Sequence, residues 1–364
     1  MLKEQTQLFL PEIEVDTAPF HQAHTLFDEI TVDGVSIAVT PVFSCYWYFA
    51  AERQKIFKKR VFGANDPIFT DDPILATYRF TNAYRASDRV SQYLISNVIY
   101  REDLPSDDRN IFFRTMLFKL FNKIETWEAL EKEFGAIIFE EFSIEDADKF
   151  LSKRQDEGVR NYSAAYIMPS AGSAFGHQRK HSNHLKLLQW MVDEKFPAKL
   201  SNCASMKDAY ELMLSAPSLG PFLAFQFATD LNYSPLTTFS EMEFVVAGPG
   251  AHDGISKCFK HTKSLSAERI IRHMAENQQQ YFEKMSLDFE DLWGRPLQLV
   301  DCQNLFCEIS KYSRVSHPDL PGVSGRTRIK QKFSPAGRPQ LPWYPPDWKL
   351  NEKIAEVSVP RQRP

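Results

Sequence analysis

Two carboxylates, Glu241 and Glu243, stand just ahead of the apolar run Phe244-Val-Val-Ala. A carboxylate beside apolar residues can take a proton, orient a water or stabilise developing positive charge. Glu243 directly precedes the run and is expected to be the more desolvated of the two, which favours it as the catalytic residue. The other reading makes one glutamate a helix cap and leaves the other solvated. Twenty-one residues before Glu241 lies Gly220, within Leu214-Ser-Ala-Pro-Ser-Leu-Gly220-Pro-Phe. That stretch predicts a helix, a tight turn and a second helix, Pro221–Leu231, whose first backbone N–H groups face a phosphate. Asp230, near the end of the second helix, is expected to be structural.

A second polar concentration is Asp301-Cys-Gln303-Asn304-Leu-Phe-Cys-Glu308, on a helix otherwise expected to be core. Asp301, Asn304 and Glu308 fall on one helical face. Buried polar side chains need partners, so this face is either a structural network or a pocket reading the edge of an extruded base. Asn82, Arg85 and Arg89 share a face beside Tyr78 and Tyr93, a combination that either grips phosphate and stacks on a base or forms a salt-bridged surface. The resulting assignment makes Glu243, Asp301 and Asn82 catalytic and places Arg85, Gln303, Asn304 and Glu308 in a base pocket. Gly220, Lys257, Arg314, Arg328 and Lys330 are expected to hold the nucleic-acid backbone. The last two belong to Arg326-Thr-Arg328-Ile-Lys330-Gln-Lys332, whose alternating charges suit either a phosphate-tracking arm or a solvated tail.

Several chemistries are excluded or disfavoured. Gly248-Pro-Gly-Ala-His-Asp-Gly254-Ile-Ser-Lys257 superficially resembles a phosphate loop, but Lys257 follows Ser256, and no Gly-Lys-Ser/Thr occurs in the sequence. Its glycines serve either a close approach to phosphate or a tight turn. The five cysteines include no Cys-x-x-Cys, so a zinc ribbon or iron–sulfur loop is not expected and the thiols read as reduced. His177, His181 and His184 have a spacing that permits metal ligation, yet the surrounding Gly172, Gly176, Arg179 and Lys180 favour a polar loop. No metal, cofactor or obligate protein partner is expected. No apolar run is long enough to cross a bilayer and the N-terminus lacks a signal pattern, so an intracellular, cytoplasmic protein is expected.

The elements that must position these residues read as mainly α, with a minor β element near the N-terminus. Of 364 residues, 43% are hydrophobic and 29 are Phe, many at helical spacing. Val35–Val42 reads as a short strand and Phe43–Arg60 as a helix. Further helices are expected at Arg109–Asn122, Asn183–Glu194, Ser205–Ser215, Ala267–Met285 and Leu297–Tyr312. Thr126 is read as a cap, and Ser143 with Asp146 and Ser205 with Asp208 as capping boxes. The tail after His317 carries nine prolines and is expected to be non-helical. Net charge is −4 overall, but residues 313–364 carry +6, so nucleic-acid binding would rest on a local basic stripe. The division expected is an N-terminal extension over 1–70, a helical domain over 71–317 and a basic Pro-rich tail over 318–364.

The Gly220-to-glutamate interval resembles that of the helix-hairpin-helix DNA glycosylases, whose catalytic Asp follows the hairpin at about this distance. Taken together, "RFTNAYRASDRVSQYLI", "RNIFFRTMLFKLFNK", "GPFLAFQFATDLNYS", "EFVVAGPGAHDGISK", "DCQNLFCEISKYSR" and "GRTRIKQKF" resemble the alpha-glutamyl/putrescinyl thymine pyrophosphorylase family. They are also similar to the helical domain of phage 5-hydroxymethyl-deoxyuridine DNA kinases. The resemblance spans roughly Tyr78 to Phe333. It implies a fold similar to the helix-hairpin-helix glycosylases, action on modified pyrimidines in DNA, and roles for Asn82, Arg85, the Gly220 hairpin, Glu243 and the Asp301/Asn304/Glu308 face. The sequence departs from the family in carrying Glu243 where Asp is expected before Phe-Val-Val, and in lacking the kinase half. The expected activity is therefore excision of a hypermodified pyrimidine by N-glycosidic hydrolysis, without strand cleavage because no Lys sits beside the hairpin, in defence against phages. The alternatives are a transferase that displaces pyrophosphate from an activated hydroxymethyl-pyrimidine, and a non-catalytic reader of modified DNA.

Overall fold

The computed structural model describes residues 26–63, 69–163, 168–262, 264–334, 337 and 339–358. The first 25 residues of the expected N-terminal extension lie outside the described residues. The architecture is mainly helical, with sixteen α-helices and one two-stranded antiparallel sheet among the described residues. The expected strand is Val35–Ala38, and it pairs with Glu29–Val32. Asp33 and Gly34 turn the hairpin with φ of 47° and 77°, the left-handed pair favoured by an Asp-Gly turn.

The longest helix, Pro41–Phe62, begins at Thr40, whose side chain accepts from the Val42 N–H. Its Phe43, Tyr46, Trp47 and Phe49 are fully buried, and Trp47 stacks on Tyr281 with centroids 4.9 Å apart. Burial of each such ring contributes roughly 1.5–3 kcal/mol. Leu299–Ser316 packs against Pro41–Phe62, Pro249–Cys258 and Ala267–Glu276. The contact with Pro249–Cys258 is close because of Gly254: a Cβ there would lie 1.9 Å from the Phe306 carbonyl oxygen. Gly250 likewise packs on Cys307, where a Cβ would lie 2.9 Å from Sγ, so these two glycines lie within a helix and serve its packing, a role that neither expected reading, phosphate approach or tight turn, anticipated.

Most expected helices form, with informative exceptions. Ala267–Met285 is broken at Asn277 into Ala267–Glu276 and Gln278–Lys284. Thr126 caps nothing; its hydroxyl donates to the Asn161 carbonyl inside the helix Ile124–Phe134. Ser143 and Ser205 do cap, accepting from the N–H groups of Asp146 and Asp208. The region around Asn82 is not one helix but a 3-10 turn, Arg85–Ser87, leading into Arg89–Leu94. The Pro-rich tail does contain a helix, Asn351–Ser358, because its prolines lie outside it. No helix among the described residues is long and apolar enough to cross a membrane.

Candidate functional site

Polar side chains inside this helical body form two connected clusters. The first centres on Asp230, fully buried at the end of Pro221–Leu231. Its carboxylate lies 2.8 Å from Arg85 Nη2 and 3.1 Å from Lys119 Nζ. The Arg85 guanidinium also donates to Gln226 Oε1 and to the Tyr233 hydroxyl. Lys119 donates to Asn122 Oδ1 at 2.7 Å, and burial lowers its pKa against the pull of Asp230. Two buried cations share this one carboxylate, and each has a further neutral acceptor.

The second cluster begins on the other side of Arg85, whose backbone N–H donates to Asp301 Oδ1 at 2.8 Å. Asp301 Oδ2 accepts from the Gln298 N–H, closing a capping box at the start of Leu299–Ser316. Burial, and next the nearby charge of Glu241, raise the Asp301 pKa to about 7. Glu241 itself is 5% exposed. Its Oε2 lies 2.5 Å from Arg295 Nη2, while its Oε1 is buried without a hydrogen-bond partner. Arg295 in turn lies 3.8 Å from the ring centroid of Trp348.

These residues bound a cleft of about 190 Å³, whose lining includes Tyr100, Asn232, Glu241, Arg295, Gln298 and Trp348. One wall comes from the expected tail: Tyr344 is fully buried, its hydroxyl 2.7 Å from Ser87 Oγ, and it stacks on Trp348. Glu241 lines this cleft, and a buried carboxylate oxygen with an unfilled acceptor can accept a proton or a hydrogen bond from a molecule that reaches it. Asp301 behind it holds a proton near neutrality.

The sequence-predicted residues divide sharply. Asp301 lies behind the cleft, but Glu243 is exposed and its engaged groups are backbone ones: its N–H donates to the Ser240 carbonyl and its carbonyl accepts from Arg272. The desolvation expected for Glu243 belongs to Glu241. Asn82 accepts from Arg53 and donates to the Ser87 carbonyl, which fixes its own turn. Arg85 is committed to Asp230. Gln303 is fully buried against Cys307, and Asn304 is half-buried. Glu308 accepts from the Thr81 N–H and pairs with Lys311 at 2.8 Å, two helical turns from Asp301. Neither Asn82, Arg85, Gln303, Asn304 nor Glu308 lines the cleft.

Among residues assigned to the backbone of DNA, Lys257 is corrected. It is 3% exposed and donates to the Ser310 carbonyl and Ser313 Oγ. Gly220 is exposed with open space where a Cβ would stand. Arg314 is half-buried and donates to the Arg328 carbonyl, whereas the Arg328 and Lys330 side chains are exposed. The three histidines do not converge: His184 bridges the Tyr162 hydroxyl and the Pro169 carbonyl, and burial lowers its pKa to about 4. His181 bonds Ser152 instead. Sequence reasoning missed Arg295 and Trp348. The signal available was an Arg fixed between Gly294, at φ 94°, and Pro296.

Residues 40–322 match the family described as "5-hmdU DNA kinase, helical domain". The chain belongs to this family. It is 27% identical over 284 residues to the 5-hmdU DNA kinase of Bacillus phage SP10, an alignment covering 73% of this chain and 44% of that protein. The chain thus spans less than half the length of the curated relative it matches. No solved structure matches it. The family assignment overturns the expectation of a monofunctional DNA glycosylase: kinases are transferases, and N-glycosidic hydrolysis is a different reaction class. The antiviral setting attached to excision falls with it.

Proposed function

We propose that this chain takes one hydroxymethyl-pyrimidine of DNA, turned out of its strand, into the Glu241 cleft, and serves group transfer at the hydroxymethyl substituent. The observation that carries the reading is Glu241 Oε1, buried and without a hydrogen-bond partner at the cleft, in a chain of the 5-hmdU DNA kinase helical family. The cleft's size supports a single base as the occupant. At about 190 Å³ it is smaller than the roughly 300–1,000 Å³ of pockets for drug-sized ligands. Turning a nucleotide out costs a few kcal/mol, which a hydrogen bond to Glu241 and contact with Trp348 would offset.

The chemistry proposed is displacement at an activated substituent. The bond from the exocyclic carbon to a pyrophosphate oxygen breaks and its electron pair leaves with pyrophosphate. An amine nitrogen bonds to that carbon and passes a proton to Glu241. Arg295 pairs with the other oxygen of this carboxylate, and Asp301 behind it supplies a second group that exchanges a proton near neutral pH. The test is to incubate the protein with DNA bearing hydroxymethyl- or pyrophosphoryloxymethyl-deoxyuridine plus an amine, digest to nucleosides, and identify them by mass spectrometry. Pyrophosphate release with an amine-bearing nucleoside supports the proposal. Selective binding with unchanged DNA reassigns the chain as a reader, and equal affinity for thymidine-containing DNA with no product overturns it.

A further inference from the structure

The basic segment at 326–332 is held rather than loose, and its two anchors have no counterpart in the cleft's chemistry. At its start, the Ser324 N–H donates to Asp253 Oδ1 at 2.6 Å and the Val323 N–H to Ser256 Oγ at 3.3 Å. Gly322 packs so tightly on Asp253 that a Cβ there would lie 2.2 Å from Oδ1. Asp253 is itself 1% exposed and bonded to Ser310 Oγ. At the far end, the Arg79 N–H donates to the Gln331 carbonyl at 3.0 Å and the Phe333 N–H to the Thr77 carbonyl at 2.9 Å. Tyr78 and Lys332 form an antiparallel bridge between them. In the middle, Arg314 donates to the Arg328 carbonyl.

Between those anchors the chain forms neither helix nor strand apart from the bridge at Lys332, with Ile329 and Phe333 half-buried and Arg326, Arg328, Lys330 and Lys332 exposed. None of the four basic side chains forms an ion pair with a described residue. Arg79, also exposed, is carried beside them by the bridge. A mobile tail would lose conformational entropy when it bound; a chain tied at both ends and its centre has already lost it.

We infer that Arg326, Arg328, Lys330 and Lys332 form a preorganised ridge that follows the sugar–phosphate backbone of a DNA strand. The ridge begins just past the family-matching residues, which end at 322. It reads charge and not sequence, so it binds modified and unmodified DNA alike. The inference shares with the proposed function only the choice of DNA as partner, and the cleft is left to discriminate bases.

The experiment measures affinity for a duplex and for a single strand across a series of salt concentrations, with the full chain and with Arg326, Arg328, Lys330 and Lys332 all replaced by Gln. Each phosphate neutralised contributes about 0.9 to the slope of log K against log salt for duplex and about 0.7 for single strands. Loss of about 3–4 from the duplex slope, or about 3 from the single-strand slope, supports the ridge and identifies the form bound. The loss should be the same for hydroxymethyl-deoxyuridine and thymidine DNA. A slope change below about 1 on both forms overturns it. The substituted side chains are exposed, so an unchanged thermal midpoint confirms the fold, and restoring Lys330 and Lys332 alone should recover about half of the lost slope. If the slope falls as expected but neither form of the protein prefers the modified base, the ridge stands and the cleft proposal fails.

Discussion

Two ionic clusters meet at Arg85 and differ in what they leave unfinished. Around Asp230 the two cations, Arg85 and Lys119, are matched by further acceptors in Gln226, Tyr233 and Asn122. Around Glu241 the single cation, Arg295, occupies one carboxylate oxygen and stacks on Trp348, and the second oxygen has no partner. Both carboxylates are more than nine-tenths buried. Both Asp230 oxygens, like Glu241 Oε1, lack an aligned hydrogen bond, but each faces a cation within 3.1 Å, whereas the cation of Glu241 sits on its other oxygen; burial alone therefore does not separate the two carboxylates. A closed cluster stabilises, whereas an open one retains unspent interaction energy for a bound molecule.

The closed cluster breaks first. Asp230→Ala leaves Arg85 and Lys119 buried without their anion, and should cost about 3–5 kcal/mol, read as a drop in the denaturant midpoint. A loss below about 1 kcal/mol would show that water or rearrangement compensates the two cations. Glu241→Gln probes the open cluster in the opposite sense. It should lower group transfer by about 10²–10⁴-fold while the midpoint moves far less than in Asp230→Ala. Full activity in Glu241→Gln would remove the proton-accepting role.

Asp301 links the two clusters and sharpens the contrast through pH. Its carboxyl is held at about 7, above the ~3.9 of an unfolded Asp, so between those values the folded state keeps a proton that the unfolded state has released. The stability this group contributes is complete below the unfolded pKa and declines as pH rises through about 7. Asp301→Asn stays neutral, so its unfolding free energy should gain on wild type as pH rises from about 5 to 8. A constant difference across that range would mean that Asp301 titrates alike in both states. The smallest effect is expected at Glu243: Glu243→Gln should shift stability by less than about 0.5 kcal/mol and leave group transfer intact. A loss of activity there would return the catalytic role to the residue that its place in the sequence first favoured.

That last pair shows where sequence reading stops. Glu243 adjoins an apolar run and looks desolvated, but the segment 241–243 is a turn, in which neighbours two apart face different surroundings. Adjacency in the chain therefore did not report burial. Local grammar was legible: Gly220-Pro221 opens Pro221–Leu231 as expected, since Pro suits the first helical position, and Ser143 and Ser205 cap their helices. Family membership was legible too, because it rests on many dispersed motifs. The cleft was not. Arg295, Trp348 and Glu241 meet only through tertiary packing, and Trp348 sits in a Pro-rich stretch that carries no helical or strand periodicity. Lys257 failed for a related reason, since a basic residue after glycines looks phosphate-facing until the packing of Gly254 on Phe306 turns that helix inward.

The central claim, that the Glu241 cleft receives a base turned out of DNA, is most directly tested with 2-aminopurine placed next to a single hydroxymethyl-deoxyuridine. Loss of stacking on base extrusion raises 2-aminopurine fluorescence. The account predicts a rise on adding protein that is larger than with thymidine at the same position, and that shrinks when Trp348 is replaced by Ala. Saturating binding with no rise in fluorescence at either base would contradict it.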